Sequence, residues 1–126
     1  MFPLTVPDKI EATRCPIRSV LAKMTGKWQI LILFALEDGA LRFGQVKRTL
    51  GDITQRVLTE NLRSLERDGL VSRTVEPGPP VAVYYELTDL GTSFVETYRP
   101  VILWANEHLD EVKTTRDDYD TAHAGD

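Results

Sequence analysis

Between Arg42 and Arg73 seven basic residues stand against four acidic ones, a local charge of +3 in a chain whose net charge is −4. Lysine and arginine at that density suit one chemistry above others: neutralising phosphates and releasing the counterions condensed on a nucleic acid. The arginines are also ordered. In Ile53–Gly69, ITQRVLTENLRSLERDG, the residues Leu58, Leu62 and Leu65 recur at helical spacing. At ~100° per residue, Arg56, Thr59, Glu60, Arg63 and Arg67 fall on the opposite side. Thr54 is placed to cap the start of this helix, and Gly69 stands where helices commonly end in the left-handed conformation. A lone helix of this kind is more often a solvated surface face than a binding face. Its surroundings decide.

Those surroundings supply a second helix and a hairpin. Phe43–Leu50, FGQVKRTL, reads as a short helix with Phe43, Val46 and Leu50 inward and Lys47 and Arg48 outward. Gly51-Asp52 turns the chain into the Ile53–Asp68 helix, which makes a helix-turn-helix. Leu70–Glu76 alternates like a strand, Pro77-Gly78-Pro79-Pro80 is a turn, and Val81–Leu87 is rich in β-branched and aromatic residues. A hairpin directly after a helix-turn-helix is a wing, which lies along DNA while the second helix enters the major groove.

The flanking elements frame this unit. Residues 1–14 read as an extended arm or a short helix at Asp8–Thr13. Cys15-Pro16 opens a helix to about Thr25 that is expected to bury Ile17, Val20, Leu21 and Met24. Trp28–Leu36, WQILILFAL, is almost continuously apolar, and periodicity alone does not separate a buried strand from a buried helix. Its length and the following Glu37-Asp38-Gly39 favour a central helix. Leu41-Arg42-Phe43 suffices for a single bridge of strand. Thr88 is expected to cap a long last helix whose stripe is Leu90, Phe94, Tyr98, Val101, Ala105 and Leu109, with Ile102 and Trp104 beside it, bent at Pro100. The stripe exceeds what a domain of this size needs for closure, so it predicts a homodimer.

The fold expected is mostly α with a small β-hairpin wing (α+β), a winged helix-turn-helix with long N- and C-terminal dimerisation helices. One domain is expected over residues 1–113, followed by a disordered acidic tail over 114–126. Residues 107–126 hold seven acidic and two basic residues, so the overall acidity belongs to that end, and residues 1–106 carry +1. No apolar run approaches the ~20 residues of a membrane span. No secretory signal is expected at the start, and a single cysteine excludes a disulfide within one chain. The expected compartment is therefore the cytoplasm. An enzyme is not expected: His108 and His123 lie in the last helix and the tail, and neither a glycine-rich phosphate loop nor paired metal ligands appear, so no metal and no cofactor is expected.

The chain resembles the HxlR-type regulators, bacterial winged-helix transcription factors related to the MarR group. The matching pieces are Cys15-Pro16, Gly26-Lys27-Trp28, Arg42-Phe43, Ile53-Thr54-Gln55, Leu62-Arg63-Ser64-Leu65-Glu66, Asp68-Gly69-Leu70 and Tyr85-Glu86-Leu87-Thr88-Asp89-Leu90-Gly91. They fall in the family's order and spacing over about residues 14–108. The resemblance implies a homodimer on a pseudo-palindromic operator in double-stranded DNA. Repression is expected on a separate ground, because a small domain with no effector module most simply acts by blocking polymerase. It places Thr54, Gln55 and Arg56 at the start of the recognition helix, with Thr59 and Arg63 further along it. Lys27 fits a phosphate contact at a helix N-terminus, and Arg42 and Lys47 would flank the backbone. One departure concerns the wing. Members often carry an arginine near the position of Ala82, whereas here no basic residue lies between Arg73, itself a candidate DNA contact, and the last helix.

Several members of that family respond to oxidants or electrophiles through the cysteine that Cys15 matches. A helix N-terminus with Arg14 adjacent favours thiolate there, while a cysteine that only packs is the equal alternative. Two other readings compete with the regulator as described. One is a winged helix used for protein interaction, which the acidity would suit. The other is a regulator gated by a small aromatic effector near Tyr98 and Trp104.

Overall fold

The protein is described here by a computed structural model over residues 16–125. Along the described chain run α1 (Pro16–Met24), α2 (Lys27–Ala35), β1 (Leu41–Arg42), α3 (Phe43–Leu50), α4 (Gln55–Arg67), β2 (Val71–Glu76), β3 (Ala82–Leu87) and α5 (Asp89–Ala122). This is the expected architecture, mostly helical with a small antiparallel sheet. The chain divides into two compact units, Met1–Ser93 and Phe94–Asp126, where the sequence reading drew its boundary at Lys113.

The first unit is built on the apolar faces of three helices. Ile32, Leu33 and Leu36 of the second helical segment, Val46 of α3, and Leu58, Leu62 and Leu65 of α4 are all at most 1% exposed. The ambiguous run Trp28–Leu36 is thus a core helix. Leu31 is its outward exception, 42% exposed.

α4 begins two residues later than its apolar pattern suggests. Thr54 stays extended (φ −80°, ψ 158°) and its Oγ1 accepts the Val57 N–H at 3.2 Å. Ile53 just before the cap and Leu58 on the fourth helical position are both buried, the positions of a hydrophobic staple. Gly69, with φ +79°, ends the helix in the left-handed region.

The sheet has the order β1-β3-β2 and is antiparallel throughout. Arg73 pairs with Tyr85, Thr74 with Tyr84 and Val71 with Leu87. β1 adds two residues, Leu41 opposite Tyr85 and Arg42 opposite Tyr84. Thr88 ties the exit of the wing to the end of α4. Its N–H donates to the Leu70 carbonyl, its hydroxyl donates to the Gly69 carbonyl at 2.6 Å, and its Oγ1 caps α5 by accepting the Gly91 N–H at 3.0 Å. A Cβ on Gly91 would run into the Leu70 carbonyl oxygen, which explains glycine one turn into α5.

Two expectations need correction. α1 does not bury its apolar residues within the single chain: Ile17, Val20 and Leu21 are 51%, 55% and 46% exposed. The sequence pattern identifies an apolar face and says nothing about whether the same chain supplies its cover. The Met24 side chain, like the expected arm or helix at 8–13, lies outside the described residues. The second correction concerns the tail. α5 continues through Ala122, although the apolar period ends near Lys113. Backbone bonding and local side-chain contacts replace the stripe there: Thr115 donates to the Glu111 carbonyl and the Tyr119 and His123 rings stack at 3.9 Å. Pro100 lies inside α5 and does not end it.

Within the second unit, Val101, Ile102, Leu103 and Trp104 are four consecutive exposed apolar residues, joined by Leu109 at 48%. Four in a row span more than a full helical turn, so the apolar surface takes in Ile102 and Trp104, expected beside the stripe, and Leu103 as well. Local pairs occupy the aromatic rings: Phe94 stacks with Tyr98 at 5.5 Å and Trp104 with His108 at 4.5 Å.

Candidate nucleic-acid interface

α4 presents two adjacent rows away from its leucines. Arg56 and Glu60 lie on the side opposite the core. Their ion pair is 3.0 Å long, with side chains 88% and 59% exposed. An i,i+4 pair that open to water contributes a few tenths of a kcal/mol at most. It orients Arg56 along the helix and leaves it available to a stronger anion. Gln55 is exposed beside it at the first helical position. Thr54, expected near bases, has its hydroxyl oxygen engaged as the helix cap. Its first role here is to start α4.

The second row is Thr59, Arg63 and Glu66, at i, i+4 and i+7 on one face. This row meets the sheet. Thr59, Arg63 and Glu66 line a cleft of about 270 Å³ together with Arg73 of β2 and Tyr85 of β3. Strand parity accounts for the meeting. Arg73 lies two residues from the buried Val71, hence on the same face of β2, and Tyr85 is its direct cross-strand partner. Among the described residues none of these five side chains makes a hydrogen bond or ion pair.

The remaining candidates stand apart from the cleft. Lys27 is the first residue of α2, exposed, with its Nζ 4.4 Å from the Trp28 ring centroid. Arg42 precedes α3, where its N–H donates to Gln45 Oε1 at 2.8 Å and its guanidinium lies 5.6 Å from the Tyr84 ring centroid. These cation–π contacts hold both cations against aromatic rings. Lys47 is half-buried on α3. Cys15 lies outside the described residues. Two lining residues, Glu66 and Tyr85, were missed by sequence reasoning, and Glu60, placed on the free face of the helix, was not paired with Arg56. Helical spacing from Arg56 and Arg63 was the available signal for the two glutamates. For Tyr85 none existed before the register was known.

Among the described residues no group of three or more His, Cys, Asp or Glu could hold a metal ion, and no helix is long and apolar enough to cross a membrane.

A helix pair set at a tight turn, its second helix cationic on the free side and followed at once by a two-stranded wing, defines a winged helix-turn-helix DNA-binding protein. Comparison with known proteins narrows this class. The sequence model of the HxlR-like helix-turn-helix family matches residues 23–113, and the chain belongs to that family of transcriptional regulators. It is 37% identical over 107 residues to the HTH-type transcriptional regulator YtfH of Escherichia coli (strain K12), covering 85% of each chain. The solved structure of a transcriptional regulator ytfH from Salmonella typhimurium matches with a TM-score of 0.78 at 35% identity, over 86% of this chain and 96% of that one. The structure of diamide-treated YodB from B. subtilis matches with a TM-score of 0.65 at 35% identity, over 74% of this chain and 93% of that one.

Proposed function

We propose that the protein is a cytoplasmic, homodimeric repressor that holds a pseudo-palindromic operator with α4 in the major groove. The observation that carries this reading is the free face of α4, where Gln55, Arg56 and Arg63 are exposed on a helix whose other side is fully buried. Gln55 and Arg56, at the leading end, are assigned to base edges and nearby phosphates. Arg63 and Arg73, with Thr59 beside them, are assigned to the backbone. Lys27, Arg42 and Lys47 are assigned to flanking phosphates, and Thr54 supports the site as the cap of α4. The uncovered apolar residues of α1 and α5 support a second copy as partner. A protein seated across an operator acts most simply by blocking polymerase.

Fluorescence anisotropy on the DNA upstream of the protein's own gene, across a salt series, tests this. The logarithm of affinity should fall by about 0.9 per phosphate contacted for each unit of log salt. Arg56→Ala should weaken operator binding by about 1–3 kcal/mol and leave thermal stability unchanged. Binding no stronger than to random DNA, on both this duplex and sequences selected from a random pool, would favour a protein-interaction module instead.

Oxidant control through Cys15 is the second reading, supported by the likeness to a regulator solved after diamide treatment. Diamide takes two electrons and two protons from a pair of thiols. With one cysteine per chain, the products are a bridge between two subunits or a mixed disulfide with a small thiol. Diamide is expected to release wild-type protein from DNA, with dithiothreitol restoring binding, and to leave Cys15→Ser bound. Equal release of both proteins would remove Cys15 from the mechanism.

A further inference from the structure

We propose that the cleft between α4 and the inner face of the wing seats a single phosphate of the DNA backbone, held jointly by Arg63, Arg73 and the Tyr85 hydroxyl. The proposal rests on the DNA-binding reading above and deepens it, because it makes two arginines that the sequence treats as separate contacts into one clamp.

Three observations point to a phosphate. The first is chemistry: two arginines and two hydroxyl-bearing residues, Thr59 and Tyr85, line one cleft, and none of their side chains has a hydrogen-bond or ion-pair partner among the described residues. A tetrahedral oxyanion accepts from all four, and planar guanidiniums bind it in paired N–H bonds. The second is lining. The cleft of about 270 Å³ is walled by two arginines, a glutamate, a threonine and a tyrosine, and it lacks the predominantly apolar walls of small-molecule pockets. A phosphate fits, and an aromatic effector lacks its walls. The third is position. The cleft opens between the recognition helix and the strand pair that follows it, where a backbone entering the major groove passes a winged helix.

Glu66 lines the same cleft and opposes this occupant. The ionised lining carries two positive charges and one negative, so the site attracts a phosphate with one carboxylate working against it. This yields a sign that separates occupants: removing the carboxylate should tighten binding of a phosphate and weaken binding of a cationic or proton-donating group. The clamp also answers the missing arginine near Ala82. Arg73 faces α4 at the root of the wing, so the wing contributes a phosphate contact without a basic residue at its tip.

Methylphosphonate scanning tests the clamp. Each phosphate of a bound duplex is neutralised in turn, and affinity is measured for wild type, Arg63→Ala, Arg73→Ala and the double variant. Both arginines are exposed, so the variants keep the core, and an unchanged melting curve verifies it. One phosphate per half-site is expected at which wild type loses affinity and the double variant loses nothing further. The salt slope of the double variant should fall by about 0.9 per half-site, the value for one phosphate. Tyr85→Phe should weaken binding several-fold with the slope unchanged, and Glu66→Gln should tighten it several-fold. Different phosphates for the two arginines, or a slope loss near twice that value, would overturn the clamp and leave the DNA-binding reading intact. Weaker binding by Glu66→Gln would do the same. Displacement of DNA from wild type but not from the double variant by millimolar glucose 6-phosphate, at constant ionic strength, would assign the cleft to a free phosphorylated ligand. Wild type that shows no salt-dependent binding to any duplex would overturn both.

Discussion

The double variant Trp104→Glu/Leu109→Glu is expected to sediment as a monomer at micromolar concentration and to lose operator affinity by about a thousandfold or more. Both residues lie on the apolar surface of α5, 56% and 48% exposed in the single chain. Exposed tryptophan and leucine on one helix, continuous with Val101–Leu103, make a patch that water disfavours and that the proposed second copy would cover. Two carboxylates placed there would be buried without partners in the dimer, which costs several kcal/mol for each subunit. A monomer engages one half-site and forfeits the gain of tethering the second, so binding falls toward the non-specific level. Sedimentation equilibrium and anisotropy on the same samples read the two effects together. A variant that remains dimeric would move the interface off this part of α5. A monomeric wild type would remove the dimer from the proposal altogether. The core leucines of the first unit are untouched, so its melting transition serves as the internal control.

Leu62→Ala carries the second large effect, and it acts on stability. Leu62 is 1% exposed, at the middle of the α4 stripe between Leu58 and Leu65. Truncating a buried leucine removes its transfer free energy and leaves a cavity, together about 2–5 kcal/mol. Against a total stability of about 5–15 kcal/mol, that is a large share. With a urea slope of about 1–3 kcal/mol per molar, the denaturation midpoint should drop by at least about 0.7 M. DNA binding would fall as the folded fraction falls, and it should recover on cooling toward the temperature of maximum stability. Arg56→Ala should do the reverse, weakening DNA binding with the midpoint unmoved. A Leu62→Ala protein as stable as wild type would mean that α4 is not anchored through its leucines.

The contrast between these two substitutions reflects how legible α4 is in one dimension. Apolar period, cap and terminal glycine are all local signals, and each held: Leu58, Leu62 and Leu65 are buried, Thr54 caps, and Gly69 ends the helix left-handed. The Phe43–Leu50 helix, the hairpin and the Thr88 cap were readable for the same reason. The run Trp28–Leu36 was less legible, because a segment apolar on every side has no period to read. α1 was misread in the opposite way. Its apolar residues are real, but Ile17, Val20 and Leu21 remain uncovered in the single chain. The helical stretch from Lys113 to Ala122 was missed because its support is backbone bonding and i,i+4 contacts rather than an apolar stripe.

By itself the sequence determined the helix-turn-helix, the hairpin that follows it, the two faces of α4 and with them the winged-helix class, because these follow from interactions between residues a few positions apart. Only the tertiary structure decided that Arg63 and Arg73 share one cleft. That depends on the pairing of Arg73 with Tyr85 and on the side of the sheet that α4 covers. Register and packing are long-range choices, in which a shift of one residue would turn Arg73 to the opposite face.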